Sequence, residues 1–317
     1  MRTAIDAARA FKGQTAPNPP VGAVITNRFG SVISVAAHER AGSPHAEANA
    51  INHLKEIGRL PEAHSLYVTL EPCGHEGKTP PCTRAILDSP IQNIYIGALD
   101  PNPLAKGGGD LLRSAGRNVV EVLGFRDDCV KLIEPFRKWI LTGIPFVILK
   151  TAHRADKLVG LTLESMMPPA GEKTFTSQDS LRKVHLLRRE SDAIFTSLST
   201  VMVDNPLFTV RLVDDFPGKE RTLTIFSRSA FSRPFCDPIP YLKEAEKRGF
   251  QTRMATSIDD ELKFLGQKGV HQVLVEAGPA FSNAILESGC WDLHIEIIAG
   301  KNGMVDEIRE RRRVELS

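Results

Sequence analysis

Three potential zinc ligands in the first third of the chain constrain its fold more than any other feature of the sequence. His45 stands two residues before Glu47, and Cys73 and Cys82 bracket a loop rich in glycine and proline. One imidazole and two thiolates suit Zn²⁺ and leave its fourth tetrahedral position for water. The fold must therefore bring these three well-separated side chains together.

The residues next to these ligands indicate catalysis. Zinc lowers the pKa of its water, and a carboxylate such as Glu47 can move that proton to a ring nitrogen and a departing amine. Zinc deaminases in general carry an H-x-E…P-C-x-x-C pattern. In this chain eight residues separate the two cysteines instead of two. The alternative is a closed structural zinc site with His75 as the fourth ligand, but such a site gives Glu47 no role.

Strand and helix signals alternate along the first 143 residues. Two β-rich runs, VGAVIT and SVISVAAH, flank a turn-like segment and predict a hairpin. Further on, the composition predicts strands over 65–70 and 93–99, helices over 46–57 and from 83 to 87, and a long amphipathic stretch over 128–141. His45 and Cys82 then fall at helix starts, where thiolate is favoured over thiol. Strands separated by helices predict an α/β sheet covered on both faces.

The pattern restarts after Gly143 and Pro145, which we take as a domain boundary. The buried-strand run PFVILK opens a second α/β segment over 144–317. Strands are predicted over 146–150, 192–196, 222–226, 271–278 and 294–299, and helices over 180–190, 241–248, 259–268 and 281–287. A cluster of arginines alternating with glutamates near residue 310 is interpreted as a solvated end.

The composition argues against several classes of protein. The 40 lysines and arginines nearly balance 38 acidic residues, which gives no broad footprint for nucleic acid. No segment approaches the length of an apolar membrane span, and the N-terminus lacks a secretory signal pattern. Five cysteines are too few and too uneven for a disulfide framework. We therefore expect a cytoplasmic protein that acts on a small molecule.

Four motifs in the first half resemble a known family. PNPPVGAVI, SPHAEANAI, YVTLEPCGHEGKTPPCTRAIL and DPNP occur in the order seen in the deaminase domain of the bifunctional riboflavin-biosynthesis deaminase/reductase. That family deaminates 2,5-diamino-6-(5-phosphoribosylamino)pyrimidin-4-one, releases ammonia and then reduces the ribosyl group with NADPH. The resemblance implies a cytidine-deaminase-like, three-layer α/β/α domain over residues 1–143.

The resemblance also implies roles for individual residues of this domain. The residues that resemble the zinc ligands are His45, Cys73 and Cys82. Glu47 resembles the proton shuttle, and Asn18 resembles a residue that lines the pyrimidine pocket. His75 and Lys78 lie on the loop between the cysteines, where a cationic group could meet the substrate phosphate.

The second half resembles the family's reductase domain, whose fold is similar to dihydrofolate reductase. PFVILKTA, the block from LRKVHLLRRESDAIF to DNPLFTVR, and VLVEAGPAFSNAILESG carry this resemblance. The residues that resemble NADPH contacts are Ala152, Thr200, Asp204 and Gly278. The residues that resemble substrate contacts are Arg188, Phe208, Arg211 and Glu276. The family commonly assembles, so a homo-oligomer is expected.

The second half also departs from the family pattern. Arg154 and Lys157 replace a serine and a glycine, Thr174 replaces a tryptophan, and 161–170 resembles an insertion. The sequence ends soon after HIEIIAG, where the family continues, so the reductase-like domain is expected to lack part of its C-terminal end. One alternative is therefore a monofunctional deaminase with a degenerate second domain. A deaminase acting on nucleic acid and a zinc-stabilised binding module without chemistry are further alternatives.

Overall fold

The protein folds as two compact units. The computed structural model describes residues 1–75, 80–154, 161–166, 175–227, 239–300 and 305–313. The first unit comprises Met1–Gly143 and the second comprises Ile144–Ser317. None of the helices in these ranges has the length and apolar character that a bilayer span needs.

The first unit is a five-stranded sheet flanked by helices. Its elements are α1 (Arg2–Ala10), β1 (Gly22–Thr26), β2 (Val32–Ala37), α2 (Ala46–Glu56), β3 (Ser65–Val68), α3 (Cys82–Leu87), β4 (Asn93–Ile96), α4 (Gly108–Ser114), β5 (Asn118–Glu121), α5 (Arg126–Leu132) and α6 (Glu134–Thr142). The strand order is β2-β1-β3-β4-β5. β1 runs antiparallel to β2 and β3, whereas β3, β4 and β5 are parallel. This arrangement confirms the predicted hairpin and the α/β class.

Close packing on both faces of this sheet gives the three layers. A Cβ atom on Gly22 would lie 1.9 Å from the carbonyl oxygen of Ala4, so α1 packs directly on the backbone of β1. The next residue, Ala23, points to the opposite face and joins the apolar cluster that contains Ala50 of α2. The hydrophobic residues of β1, β3 and β4 thus lie between two helical layers.

Three features of this unit differ from the sequence prediction, among them β5, which was not predicted. The stretch over 128–141 forms two helices, because Pro135 lies in the first turn of α6 and cannot continue α5. α4 was not predicted, since its glycines disfavour helix. Gly108 is required there, because a Cβ atom would lie 1.8 Å from the carbonyl oxygen of Pro72.

The second unit is a seven-stranded sheet. Its elements are β6 (Phe146–Arg154), α7 (Leu163–Met166), α8 (Gln178–Glu190), β7 (Ala193–Ser197), α9 (Leu198–Asp204), β8 (Arg221–Phe226), α10 (Ile239–Lys247), β9 (Phe250–Ala255), α11 (Ile258–Gln267), β10 (Gln272–Glu276), α12 (Pro279–Ser288), β11 (Leu293–Ala299) and β12 (Glu307–Arg312). The strand order is β12-β11-β6-β10-β7-β8-β9. All neighbouring pairs are parallel except β11 and β12.

Alternate residues of the central strands face different helices. Val147 and Leu149 of β6 pack with Leu265 of α11. Ile148, between them in sequence, packs with Leu187 of α8. The sheet is therefore covered on both faces, and the carboxyl ends of β6, β10 and β7 lie side by side at one edge.

The arginine-rich C-terminal segment corrects the interpretation as a plain solvated end. Residues Glu307–Arg312 form β12, which pairs antiparallel with β11 at the edge of the sheet. The strand was missed because its alternating charges contain almost no apolar residue. Exposed charges on an edge strand discourage further strand pairing.

Candidate active sites

The backbone of the first unit brings the three predicted zinc ligands together. His45 is the N-cap of α2, Cys82 is the first residue of α3, and Cys73 lies in the loop after β3. Their ligand atoms all lie within 4.8 Å of one another. Nδ1 of His45 is 3.2 Å from Sγ of Cys82 and 3.6 Å from Sγ of Cys73. This donor set is that of a tetrahedral zinc site with one open position.

The cysteine pair favours ionised sulfur. Hydrogen bonding from Cys82, with a further contribution from His45, lowers the pKa of the Cys73 thiol to about 4. The same pairing raises the pKa of Cys82. The backbone N–H of Cys82 also donates to Sγ of Cys73 across 3.3 Å. The protein's own groups thus favour a thiolate, which is the state a metal ligand requires.

Glu47 lies in the first turn of α2, directly beside this group. Its side chain is only 3 % exposed. Burial raises the pKa of Glu47, and the adjacent His45 opposes that shift. A buried carboxyl group with a raised pKa is a candidate for taking up and releasing protons in catalysis.

A histidine that the sequence analysis missed lies next to the predicted pocket residue. Nε2 of His38 is 3.0 Å from Nδ2 of Asn18, and Nδ1 of His38 is 3.1 Å from the carbonyl oxygen of Pro44. The His38 ring also meets the His45 ring edge-on, with 5.3 Å between centroids. His38 therefore connects Asn18 to the loop that carries His45. The signal was its place seven residues before His45 in one loop.

Two carboxylates beyond the predicted set organise the other side of this site. Oε1 of Glu71 accepts hydrogen bonds from the amides of Gly107 and Gly109 at 3.1 and 2.9 Å. Oε2 of Glu71 accepts from the amide of Asp100 at 3.3 Å. Burial, with a smaller contribution from Glu71, raises the pKa of Asp100 to about 6. Glu71 thus ties the Cys73 loop to the loop before α4.

The remaining predictions on the loop between the cysteines concern His75 and Lys78. His75 is exposed, and within the described ranges it does not join the three-ligand group. Lys78 lies outside the described residues. The described geometry therefore favours an open site over a closed one with His75 as a ligand.

A buried ion cluster lies at the carboxyl end of β10, beside the middle of β6, in the second unit. Arg188 of α8 donates to both oxygens of Glu276, at 2.6 and 3.0 Å. Nζ of Lys150 lies 3.1 Å from Oε2 of the same carboxylate. Burial alone would raise the pKa of Glu276, but the two cations lower it to about 2. Arg188 and Glu276, both predicted as substrate contacts, thus bind one another, and Lys150 joins them.

Phe208 and Arg211 lie on the loop that follows α9. The Phe208 ring is buried, and the Arg188 guanidinium lies 5.8 Å from its centroid. Arg211 is exposed, and its Nη1 donates to Oγ1 of Thr209 at 2.6 Å. Of the two predicted arginines, Arg211 presents its charge to solvent, whereas Arg188 is mostly engaged within the protein.

The predicted cofactor contacts lie along the same strand ends. Oγ1 of Thr200 accepts a hydrogen bond from the amide of Gly278 at 2.9 Å. Gly278 is the N-cap of α12, and Pro279 follows it. Ala152 is half-buried near the end of β6, and Asp204 ends α9 in an exposed position. Arg154 is the last residue of β6, but the altered Lys157 and Thr174 lie outside the described residues.

Together these observations define a class of protein, a zinc-deaminase unit followed by a second α/β unit with a buried ion cluster beside its central strands. Family models agree with both halves. The cytidine and deoxycytidylate deaminase zinc-binding region matches residues 1–98, and the RibD C-terminal domain matches residues 164–302. The chain belongs to the RibD family of riboflavin biosynthesis proteins, which confirms the resemblance.

Individual relatives match along almost the whole chain. RibD of Aquifex aeolicus is 34 % identical, and the match covers 95 % of this chain and 86 % of the relative. The structure of Acinetobacter baumannii RibD has a TM-score of 0.75 at 31 % identity, covering 94 % of this chain and 85 % of that one. The Thermotoga maritima diaminohydroxyphosphoribosylaminopyrimidine deaminase/5-amino-6-(5-phosphoribosylamino)uracil reductase gives 0.79 at 28 % identity, covering 96 % and 87 %.

Proposed function

We propose that this chain is a bifunctional enzyme of riboflavin biosynthesis. Residues 1–143 deaminate 2,5-diamino-6-(5-phosphoribosylamino)pyrimidin-4-one, and residues 144–317 reduce the ribosyl group of the product with NADPH. The observation that carries the proposal is the convergence of His45, Cys73 and Cys82 beside the buried Glu47. The bifunctional relatives, matched over both units, support the second activity.

The residues of the first site fit zinc. His45, Cys73 and Cys82 would hold the ion, since their donor set and the low pKa of the Cys73 thiol suit it. Zinc bound there would supply the Lewis acidity that makes water nucleophilic near neutral pH. Asn18, held by His38, would line the pocket for the pyrimidine ring.

Glu47 would carry the protons of the deamination. Its carboxylate accepts the proton of the attacking water and passes it to a ring nitrogen of the pyrimidine. It then takes the proton of the hydroxyl group formed on the ring carbon and delivers it to the exocyclic amine, which leaves as ammonia when the carbon–nitrogen bond breaks and the carbonyl forms. Burial favours this role, because it raises the pKa of Glu47 and so makes the carboxyl group a better proton acceptor than an exposed glutamate.

The second site would bind the ribose phosphate and the cofactor. Arg211 offers an exposed guanidinium for phosphate oxygens, and Arg188, Phe208 and Glu276 would form the wall beside it. The start of α12 at Gly278 suits a phosphate of the dinucleotide, and the proposed contacts beside it are Ala152, Thr200 and Asp204. NADPH bound there would supply hydride to the ribosyl carbon. We also propose that the enzyme is cytoplasmic and homo-oligomeric.

The proposal is tested by assaying the zinc-loaded protein with the diaminopyrimidine substrate while ammonia release and NADPH oxidation are followed separately. Both signals are expected, and chelation of zinc should abolish both because the reductase then lacks its substrate. Supplying 5-amino-6-(5-phosphoribosylamino)uracil to the chelated protein should restore NADPH oxidation alone. Ammonia without NADPH oxidation would instead support a monofunctional deaminase.

A further inference from the structure

The loop between α9 and β8 has an uncommon backbone conformation. Asn205 and Phe208 have positive φ angles of 42° and 55°. A bulky residue rarely adopts this region, and such conformations persist only where the surroundings impose them. The Phe208 ring meets that condition, because it is buried with Leu223 and Ile225 of β8. The tightly held loop continues directly into Thr209 and Arg211.

One face of α8 holds this loop at two points. Nη1 of Arg188 donates to the carbonyl oxygen of Thr209 at 3.2 Å. Nδ1 of His185 accepts from the backbone amide of Arg211 at 2.8 Å and lies 3.4 Å from the amide of Leu212. His185 and Arg188 are three residues apart and therefore lie on the same side of the helix. The helix thus binds both the carbonyl and the amide groups of the segment that presents Arg211.

The contact at His185 requires a defined form of its ring. A nitrogen that accepts from backbone N–H groups must carry a lone pair, so the proton of the neutral ring lies on Nε2. His185 is only 4 % exposed. Burial, together with the charges of Arg188 and Arg211, lowers the pKa of His185 to about 4. The accepting form is therefore the one present at neutral pH.

We propose that His185 is a positioning residue for the reductase site, which fixes the backbone at Arg211 so that its guanidinium is presented to the substrate phosphate. This inference rests on the proposed function, because it takes the ribose phosphate as the ligand of Arg211. His185 does not itself need to touch the substrate. Replacing His185 should therefore weaken only the binding energy that the substrate gains from contact between its phosphate and Arg211.

Two substitutions and two substrates test this role. His185→Leu removes the acceptor and keeps apolar bulk, whereas His185→Asn keeps an amide oxygen close to the position of Nδ1. KM for 5-amino-6-(5-phosphoribosylamino)uracil should rise about tenfold in His185→Leu, with little change in kcat. The same variant should act on the dephosphorylated substrate as the wild type does. His185→Asn should recover most of the loss.

The outcomes separate positioning from a general structural role. An equal loss on both substrates, or His185→Leu behaving like the wild type on the phosphorylated one, would overturn the inference. Hydrogen exchange at the Arg211 amide gives a second measurement that needs no turnover. This amide should be protected in the wild type and in His185→Asn and exposed in His185→Leu, and an unprotected wild-type amide would also overturn the inference. Protection in this pattern without any NADPH oxidation would contradict the proposed function instead.

Discussion

The backbone amide of Cys82 donates a hydrogen bond to Sγ of Cys73 across 3.3 Å. The residue that starts α3 therefore stabilises negative charge on the other cysteine while it brings its own sulfur into the group. The sequence spacing of eight residues between them does not reveal this contact. It explains how a long loop between the cysteines can still form one compact metal site.

Replacing either cysteine should remove zinc. Cys73→Ser or Cys82→Ser leaves a weaker oxygen donor in a site built for thiolate, so the bound zinc measured by atomic absorption should fall well below one ion per chain. Cys290→Ser is the matched control, because Cys290 lies in the second unit and is partly exposed. Full zinc content in both Cys73→Ser and Cys82→Ser would exclude these residues as ligands.

Glu47→Gln should abolish deamination without affecting the second activity. The amide cannot shuttle protons, so ammonia release should fall roughly 10²- to 10⁴-fold. Zinc content should remain, and NADPH oxidation with preformed aminouracil substrate should match the wild type. If ammonia release persisted at the wild-type rate, the site would have to be structural.

Glu71→Ala should destabilise the first unit and weaken the zinc site. Three backbone amides lose their acceptor, which should lower the free energy of unfolding by about 3 kcal/mol in urea titrations. Zinc should also dissociate faster, because Glu71 holds the loop that carries Cys73. Glu62→Ala is a suitable control, because Glu62 is exposed and its ion pair with Arg59 lies on the surface. Equal stability of the two variants would mean that the Glu71 contacts contribute little.

The sequence predicted the residues proposed to bind zinc and move protons, but not the residues that hold them in place. His45, Glu47, Cys73 and Cys82 could be found because zinc chemistry demands particular residue types at particular local positions. Glu71 and His38 act through contacts with distant backbone groups, such as the amide of Gly109, which no local pattern encodes. β12 was missed for a related reason. Backbone pairing with β11 forms this strand, whereas its own sequence lacks the apolar pattern that normally marks a strand.

The ion cluster in the second unit predicts a specific pH dependence. The folded-state pKa of Glu276 is about 2, below the ordinary value for glutamate, so its contribution to stability is present at neutral pH and is lost as the pH falls from about 5 toward 2. Glu276→Gln leaves Arg188 and Lys150 without their anion and should cost about 3 kcal/mol at pH 7. Urea unfolding monitored by hydrogen exchange in β10 should show that the difference in free energy of unfolding between this variant and the wild type shrinks toward pH 2. A difference that did not change with pH would exclude the ion pair as its cause.

The proposed cofactor site can be tested separately at Thr200. Thr200→Val keeps the shape of the side chain but removes the acceptor of the Gly278 amide, which fixes the start of α12. The Kd for NADPH, measured by fluorescence titration, should rise about tenfold. Ser199→Ala, on the exposed neighbouring residue, should leave it unchanged. Equal affinity in the two variants would place the dinucleotide elsewhere.

Product analysis of a single reaction shows whether one chain performs both steps in order. The zinc-loaded protein is mixed with the diaminopyrimidine substrate and NADPH, and the products are followed over time by mass spectrometry. We predict first a species in which the amine is exchanged for oxygen, and then a species that has gained two hydrogens. Accumulation of the first species alone would exclude the proposed reductase activity. Persistence of the substrate would exclude the proposed deaminase activity.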